Sequence, residues 1–322
     1  MKFKDNTLPW IEKYRPNKIN NIIGQDNIIG SIKKMLKNGS FPHMLFHGTS
    51  GTGKTSTILS IIEELYGNNK TLMVMKLDAS DDRGINSVRE EIKGFAEKML
   101  LFNNGIKLII LDEVDSMTFD AQFALRRIIE LYSSTTRFCL ICNYENKIIP
   151  AIKSRCASFR FNPIEDKFIV ERLKFISEYE SIKINKKCLK IIAKLSNGDL
   201  RKSINLLQSI SMKNKKITDK LCYDISGIPP IKDIKKLFNI LLDDSYDYNS
   251  IYDFFQIKFI ANGYSLSILL KSLVNYMAEN IDKIQDNKIP IYFSELSNLE
   301  SMVARSTFGD IYFSALISIF KQ

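Results

Sequence analysis

The sequence predicts an α/β domain built on a parallel sheet flanked by helices, then a small helical domain, then an all-α C-terminal domain. Three observations predict it. Residues 48–55 read Gly-Thr-Ser-Gly-Thr-Gly-Lys-Thr, which fits the phosphate-loop pattern G-x-x-x-x-G-K-[ST]. Residues 107–115 run Lys-Leu-Ile-Ile-Leu-Asp-Glu-Val-Asp, a continuous apolar strand that empties into carboxylates. Beyond residue 163 the apolar residues fall at helical spacing with no further strand pattern.

The phosphate loop has the context it requires. Met44-Leu45-Phe46 before it reads as a short buried strand. Ser56 to Tyr66 after it carries Ile58, Leu59, Ile61, Ile62 and Leu65 on one helical face. Loop glycines let backbone N–H groups approach phosphate oxygens closely. Lys54 would reach the β- and γ-phosphates, and the Thr55 hydroxyl would ligate Mg²⁺.

Before the loop, residues 8–16 (Leu-Pro-Trp-Ile-Glu-Lys-Tyr-Arg-Pro) hold two prolines and two aromatics, so an extended, pinned segment is expected rather than a helix. Ile22-Ile23-Gly24-Gln25 follows, then a helix through Ile28, Ile32, Met35 and Leu36, ended by the run from Gly39 to Pro42. Residues 71–77 read as the second strand. It leads into a turn-like cluster from Asp78 to Ile85 that can cap the next helix. Arg83, Arg89 and Lys93 lie along that helix's early turns. They either hold a phosphate backbone or form a solvated face paired to Glu90 or Glu97.

The strand over 107–111 delivers Asp112 and Glu113 at its C-terminal end, where ligands sit in open α/β sheets. Asp112 would hold Mg²⁺ and Glu113 would polarise an attacking water. Phe119 to Leu131 is a strong helix with Arg126-Arg127. Residues 136–143 read as a further strand ending in the amide Asn143. Cys139 and Cys142 make a C-x-x-C, but three apart on a strand they face opposite ways. With no second Cys/His pair they read as core thiols, not a metal site. Asn162-Pro163 marks a boundary. Helices follow over 167–180, 186–195 and 199–211, the last carrying Arg201 in its first turn, against the macrodipole preference. Ile228-Pro229-Pro230 is a linker, so the expected domains are 1–163, 164–228 and 229–322. The last shows helical groups such as Ile234/Leu237/Ile240/Leu241 and Ile311/Phe313/Leu316, and no catalytic motif.

Composition narrows the class. A chain of 322 residues, 45% hydrophobic, can bury two or three cores. The polar N-terminus does not resemble a signal peptide, and no apolar run is long enough for a bilayer. Five cysteines without framework spacing suit a reducing interior, so an intracellular protein with no membrane is expected. The net charge of +10 divides as +6 over 1–163, +6 over 164–228 and −2 over 229–322, so the first two-thirds offers either a docking face for a polyanion or a merely soluble basic surface.

Taken together, the N-terminal segment, the phosphate loop, residues 79–84 (Ala-Ser-Asp-Asp-Arg-Gly), Asp112-Glu113-x-Asp115, Asn143, Ser154-Arg155-Cys156 and residues 198–202 (Gly-Asp-Leu-Arg-Lys) resemble, in order, the small subunits of replication factor C. That family is the AAA+ sliding-clamp loader of eukaryotes and archaea. The motifs cover residues 8–228, and the C-terminal domain matches by length and helical character. The runs 124–130 and 138–144 look like the fungal small subunit numbered three.

The resemblance implies an AAA+ ATPase domain, a helical lid and a C-terminal collar. It implies ATP and Mg²⁺ as cofactors. Tyr14, Arg15 and Pro16, with Ile23 and Gly24, would flank the adenine. Gly48, Thr49, Ser50, Gly51, Thr52, Gly53, Lys54, Thr55 and Ser56 would hold the phosphates, with Thr55 and Asp112 on the metal. Asn143 would be sensor 1, Arg201 sensor 2, and Arg155 an arginine finger acting in trans on a neighbouring subunit. Arg83, Arg89 and Lys93 would track the DNA backbone, and the stretch 95–102 would lie near the clamp. The implied partners are other loader subunits in a five-membered ring, a sliding clamp and primer-template DNA. The implied compartment is the nucleus in a cellular eukaryote and the cytoplasm otherwise. Thr49-Ser50 replaces the usual Pro-Pro, Val114 replaces the usual Ala, and the zinc module of bacterial loaders is absent. A branch-migration motor or another AAA+ remodeller would need a pore loop or DNA wedge, neither of which is clear. A non-catalytic scaffold fits poorly with intact Lys54, Thr55, Asp112 and Glu113.

Overall fold

The computed structural model describes residues 8–39, 41–80, 85–98, 105–213, 217–305 and 310–321. Its contacts gather into two compact units, one of residues 1–182 and 192–208, the other of 183–191 and 209–322.

The first unit opens with a helical turn, α1 (Trp10–Lys13), then α2 (Asp26–Lys37). Strand β1 (Met44–Gly48) leads into α3 (Lys54–Tyr66), followed by the short α4 (Lys70–Met73), β2 (Val74–Asp78) and α5 (Ile85–Glu97). Then come β3 (Lys107–Asp112), α6 (Phe119–Leu131), β4 (Thr136–Cys142), α7 (Pro150–Lys153), β5 (Ala157–Phe161) and α8 (Asp166–Tyr179). The helices α9 (Lys186–Ser196) and α10 (Leu200–Lys213) contribute residues to both units.

Among the described residues the five strands are parallel, in the order β2-β3-β4-β1-β5. The strand order therefore reverses at β1, and a ligand crevice opens beyond its C-terminal end. Alternation along the strands builds two cores. Met44, Phe46, Leu108, Ile110, Cys139 and Ile141 face α2 and α3. Leu45, Ile109, Leu111, Phe138, Leu140 and Cys142 face α5, α6 and α7. The two cysteines thus sit in opposite cores, both buried and free, as their spacing requires. Thr118 starts α6 by accepting the Ala121 N–H at 3.3 Å.

Two local expectations fail. The N-terminal segment is not wholly extended, because Pro9 starts a turn in which its carbonyl accepts the N–H of Glu12 and Lys13 at 2.9 and 3.0 Å. A proline restrains the residue before it and favours a helix after it, which the extended reading ignored. The second strand begins at Val74, not at residue 71. Its first partner on β3 is Leu108, so residues 71–73 have no ladder to join and stay helical.

The second unit is all helical, with the first part of α9, the last of α10, then α11 (Asp219–Ser226), α12 (Ile231–Leu242), α13 (Tyr248–Phe255), α14 (Leu266–Glu279), α15 (Ile289–Arg305) and α16 (Asp310–Phe320). One core joins Leu237, Phe238, Phe255, Leu269, Leu273 and Leu316. Helix α11 escaped the periodicity reading. Ile311 was grouped with the apolar face of the last helix but is 70% exposed, while Phe313 and Leu316 point inward.

Candidate nucleotide site

At the end of β1 the chain turns through Gly48 and forms a loop that closes on the N-terminus of α3. A β-carbon on Gly48, where φ is +138°, would lie 2.1 Å from the Phe161 carbonyl oxygen, so only glycine fits beside β5. Lys54, the first residue of α3, is 7% exposed. Its Nζ donates to the Gly48 carbonyl at 2.7 Å, the Thr49 carbonyl at 2.9 Å and Asn143 Oδ1 at 3.0 Å. Burial lowers its pKa below the ordinary lysine value, partly offset by Asp112. Thr52 is fully buried and its hydroxyl donates to the Thr49 carbonyl, which stiffens the loop.

The neighbouring strands bring the carboxylates. The Thr55 hydroxyl donates to Asp112 Oδ2 at 3.1 Å. That oxygen pair suits a hard cation such as Mg²⁺, which takes one or two protein oxygens and completes its shell with water and substrate phosphates. Among the described residues no group of three or more His, Cys, Asp or Glu could hold a metal. Glu113 adopts a left-handed conformation, φ 56°, uncommon for a side chain of this kind. Its carbonyl is held by the N–H and hydroxyl of Ser116 at 2.9 and 2.7 Å. Asp115 Oδ2 accepts the backbone N–H of Asn143 at 3.2 Å and of Tyr144 at 3.1 Å.

The same cavity is lined from the other side by Tyr14, Arg15, Pro16, Ile23, Arg172 and Arg201. Tyr14 is 1% exposed, and its hydroxyl donates to Glu180. Burial and that carboxylate raise its pKa. Lys13 pairs with Glu180 at 2.6 Å, and Arg172 donates to the Tyr14 carbonyl at 2.6 Å. The segment is therefore pinned through both side chains and backbone. Gln25 ties the loop to the end of β5, donating to the carbonyls of Asn162 at 2.8 Å and Thr52 at 3.4 Å. The start of α10 meets the phosphate loop directly, with the Leu200 N–H on the Gly51 carbonyl at 3.2 Å. Asp199 Oδ1 caps that helix through the Lys202 N–H at 2.8 Å.

The cavity thus brings together Ser50 to Ser56, Asp112, Glu113, Asn143 and Arg201. Gly24, Gly48 and Thr49 stand behind it. Gly24 packs toward Ile164, and the other two offer their carbonyls to Lys54. Arg155 lies away from the cavity, with Nη2 on Glu130 at 2.5 Å and Nη1 on the Ala151 carbonyl at 2.7 Å. Arg83 is outside the described residues, as are 99–102 of the stretch 95–102. The Arg89 side chain is not described, and Lys93 is exposed on α5. Gln25, Asp115 and Arg172 gained no site role from sequence, because each acts through a backbone group far away in the chain, and Asp199, which caps its own helix, gained none either. The signal for Asp199 was its place just before Arg201.

The family of ATPases associated with various cellular activities (AAA) matches residues 44–164. An AAA+ ATPase lid domain of the RCF1/5-like kind matches 171–212, and the replication factor C C-terminal domain matches 229–318. The chain is 42% identical to a probable replication factor C subunit 5 of Dictyostelium discoideum, over 98% of this chain and 91% of that protein. It is 38% identical to replication factor C subunit 3 of Saccharomyces cerevisiae, over 98% and 93% of the two chains. For replication factor C subunit 5 of Homo sapiens the figures are 39%, 99% and 93%. Among solved structures, a variant of Thermotoga maritima RuvB superposes with a TM-score of 0.53 at 17% identity, over 74% of this chain and 85% of that one, a likeness of fold.

Proposed function

The chain belongs to the replication factor C family of small subunits, of the kind numbered 3 or 5, and on that premise we propose that it binds and hydrolyses ATP as one subunit of a DNA sliding-clamp loader. The observation that carries this reading is a single cavity lined by Lys54, Thr55, Asp112, Glu113, Asn143 and Arg201.

Phosphoryl transfer to water needs positioning and charge neutralisation more than covalent chemistry. Loop N–H groups and the α3 N-terminus would cradle the phosphates, with Lys54 against the outer two. Thr55 and Asp112 would hold Mg²⁺, which neutralises phosphate charge when bound. Glu113 would accept the proton of the attacking water, and Asn143 would orient that water and contact the γ-phosphate. Arg201, on the helix that touches the phosphate loop, would report the γ-phosphate to the lid. The adenine would lie against Tyr14 to Pro16 and Ile23. Arg155 would complete a neighbouring subunit's pocket.

The working assembly would be a five-membered ring of loader subunits that opens the clamp and grips primer-template DNA by its backbone, with Arg83, Arg89 and Lys93 as contacts. Such binding is sequence-neutral and weakens with salt. We take 1–163, 164–228 and 229–322 as ATPase, lid and collar, and the working compartment as the nucleus in a cellular eukaryote and the cytoplasm otherwise. Among the described residues no helix is long and apolar enough to cross a membrane.

The test is ATP hydrolysis by the chain assembled with its partner subunits, with and without clamp and primed DNA. Clamp and primed DNA together should stimulate hydrolysis, and Lys54→Ala should reduce that stimulated rate. Absence of stimulation would overturn the loader reading, and an unchanged rate with Lys54→Ala would overturn catalysis at this site.

A further inference from the structure

We infer that Asp115 is the positioning residue for Asn143, a role that rests on the ATPase reading of the preceding subsection. Strands β3 and β4 pair up to Leu111 and Leu140, and β4 then continues beside β1 to Cys142. Asn143 is the first residue past that ladder, so no strand partner fixes its backbone. The left-handed turn at Glu113 folds the chain after β3 back on itself. It carries Asp115 across to β4, where one carboxylate oxygen accepts the successive N–H groups of Asn143 and Tyr144 at 3.2 and 3.1 Å. Hydrogen bonds to an ionised acceptor are stronger than neutral ones.

The Asn143 side chain is exposed, and its Oδ1 is engaged by Lys54 at 3.0 Å. That contact leaves the Nδ2 donors for an anionic oxygen at the phosphate end of the cavity. The direction of those donors depends on the backbone that Asp115 holds. The carboxylate that follows Glu113 in the motif therefore ties the water-activating acid and the γ-phosphate sensor into one unit. Its oxygen acts as an acceptor here, so an amide oxygen in the same place keeps the positioning with somewhat weaker bonds.

The experiment uses the full chain and equilibrium titration with N-methylanthraniloyl ATP and ADP in Mg²⁺. The readout is the ratio of the two affinities, which reports the γ-phosphate alone. Asn143→Ala should cut the preference for ATP about tenfold, the scale of a hydrogen bond to a charged group. Asp115→Ala should cut it comparably with ADP affinity unchanged, and the double variant should be no worse than Asn143→Ala. Asp115→Asn keeps an acceptor oxygen and should stay within about twofold of the parent. If Asn143→Ala changes nothing, the sensor reading itself fails. If Asn143→Ala acts and Asp115→Ala does not, the positioning role fails alone. Loss of ADP affinity in Asp115→Ala, or an Asp115→Asn variant as impaired as Asp115→Ala, also overturns it, since the carboxylate then serves the loop or its charge.

Discussion

Lys54 in this structure is a cation satisfied by its own loop, with two carbonyls and the Asn143 amide around its ammonium. Burial holds its pKa below the ordinary 10.5. The folded state therefore carries an electrostatic cost at neutral pH, which fades as pH rises through the depressed value and vanishes above the unfolded one. Phosphate oxygens beside the ammonium reverse the shift. At a pH between the depressed and restored values, nucleotide binding should take up a fraction of a proton. Titration calorimetry in two buffers of unlike ionisation heat measures it, and proton release would contradict the assignment. A second residue makes a steric prediction. A β-carbon on Gly51 would lie 1.7 Å from Asp199 Oδ1, at a backbone φ of +70°. Left-handed backbone alone costs about 1–2 kcal/mol for a residue with a β-carbon. Gly51→Ala should weaken ATP binding by about tenfold or more. Adding Asp199→Ala removes the clash but not the strain, so it should restore part of the affinity. Full restoration would show that only the clash mattered, and no restoration would deny the loop–helix contact.

At the scale of the element, Lys107 ends α5. Its Nζ, on a side chain 5% exposed, donates to the carbonyls of Phe95 at 2.8 Å, Ala96 at 3.2 Å and Lys98. The last carbonyls of a helix lack intrahelical partners. A cation at a helix C-terminus also meets the macrodipole favourably. Lys107→Met keeps the stem and strands those carbonyls, so it should destabilise the fold by about 1–3 kcal/mol. The measurement is the urea midpoint, and a Met variant as stable as the parent would mean the carbonyls find water. Nothing local in the sequence marks this role of Lys107, since its partners lie on another element. The same physics decided what else was legible. The β1–loop–α3 unit, β3, α6 and β4 were readable because periodicity, capping and glycine chemistry are local to each. The start of β2 was not, because it depends on where β3 begins. That the loop, Thr55 and Asp112 converge on one cavity was readable from the motif. Its supports at Gln25, Asp115 and Arg172 were not, because nothing local announces a side chain that reaches another element's backbone.

At the scale of the whole molecule, Arg155 stands apart from the cavity. Arg155 faces Glu130 on α6, which Arg126 also contacts at 3.0 Å, and it is absent from the cavity lining. On the proposed reading, that guanidinium completes a site in another subunit. Arginine fingers supplied in trans can be worth about 10³–10⁵ in rate. The lone chain should therefore turn ATP over slowly, and Arg155→Ala should leave that slow rate unchanged. In the assembled loader, Lys54→Ala disables this chain's own pocket and Arg155→Ala disables a neighbour's. Residues acting in one pocket are non-additive, because once the pocket is dead a second change costs little. Residues acting in separate pockets remove separate shares of the turnover. The double variant should therefore lose the sum of the two single losses in stimulated hydrolysis. A double variant no worse than Lys54→Ala would assign Arg155 to its own chain's pocket, and the expectation of a shared site would then be wrong.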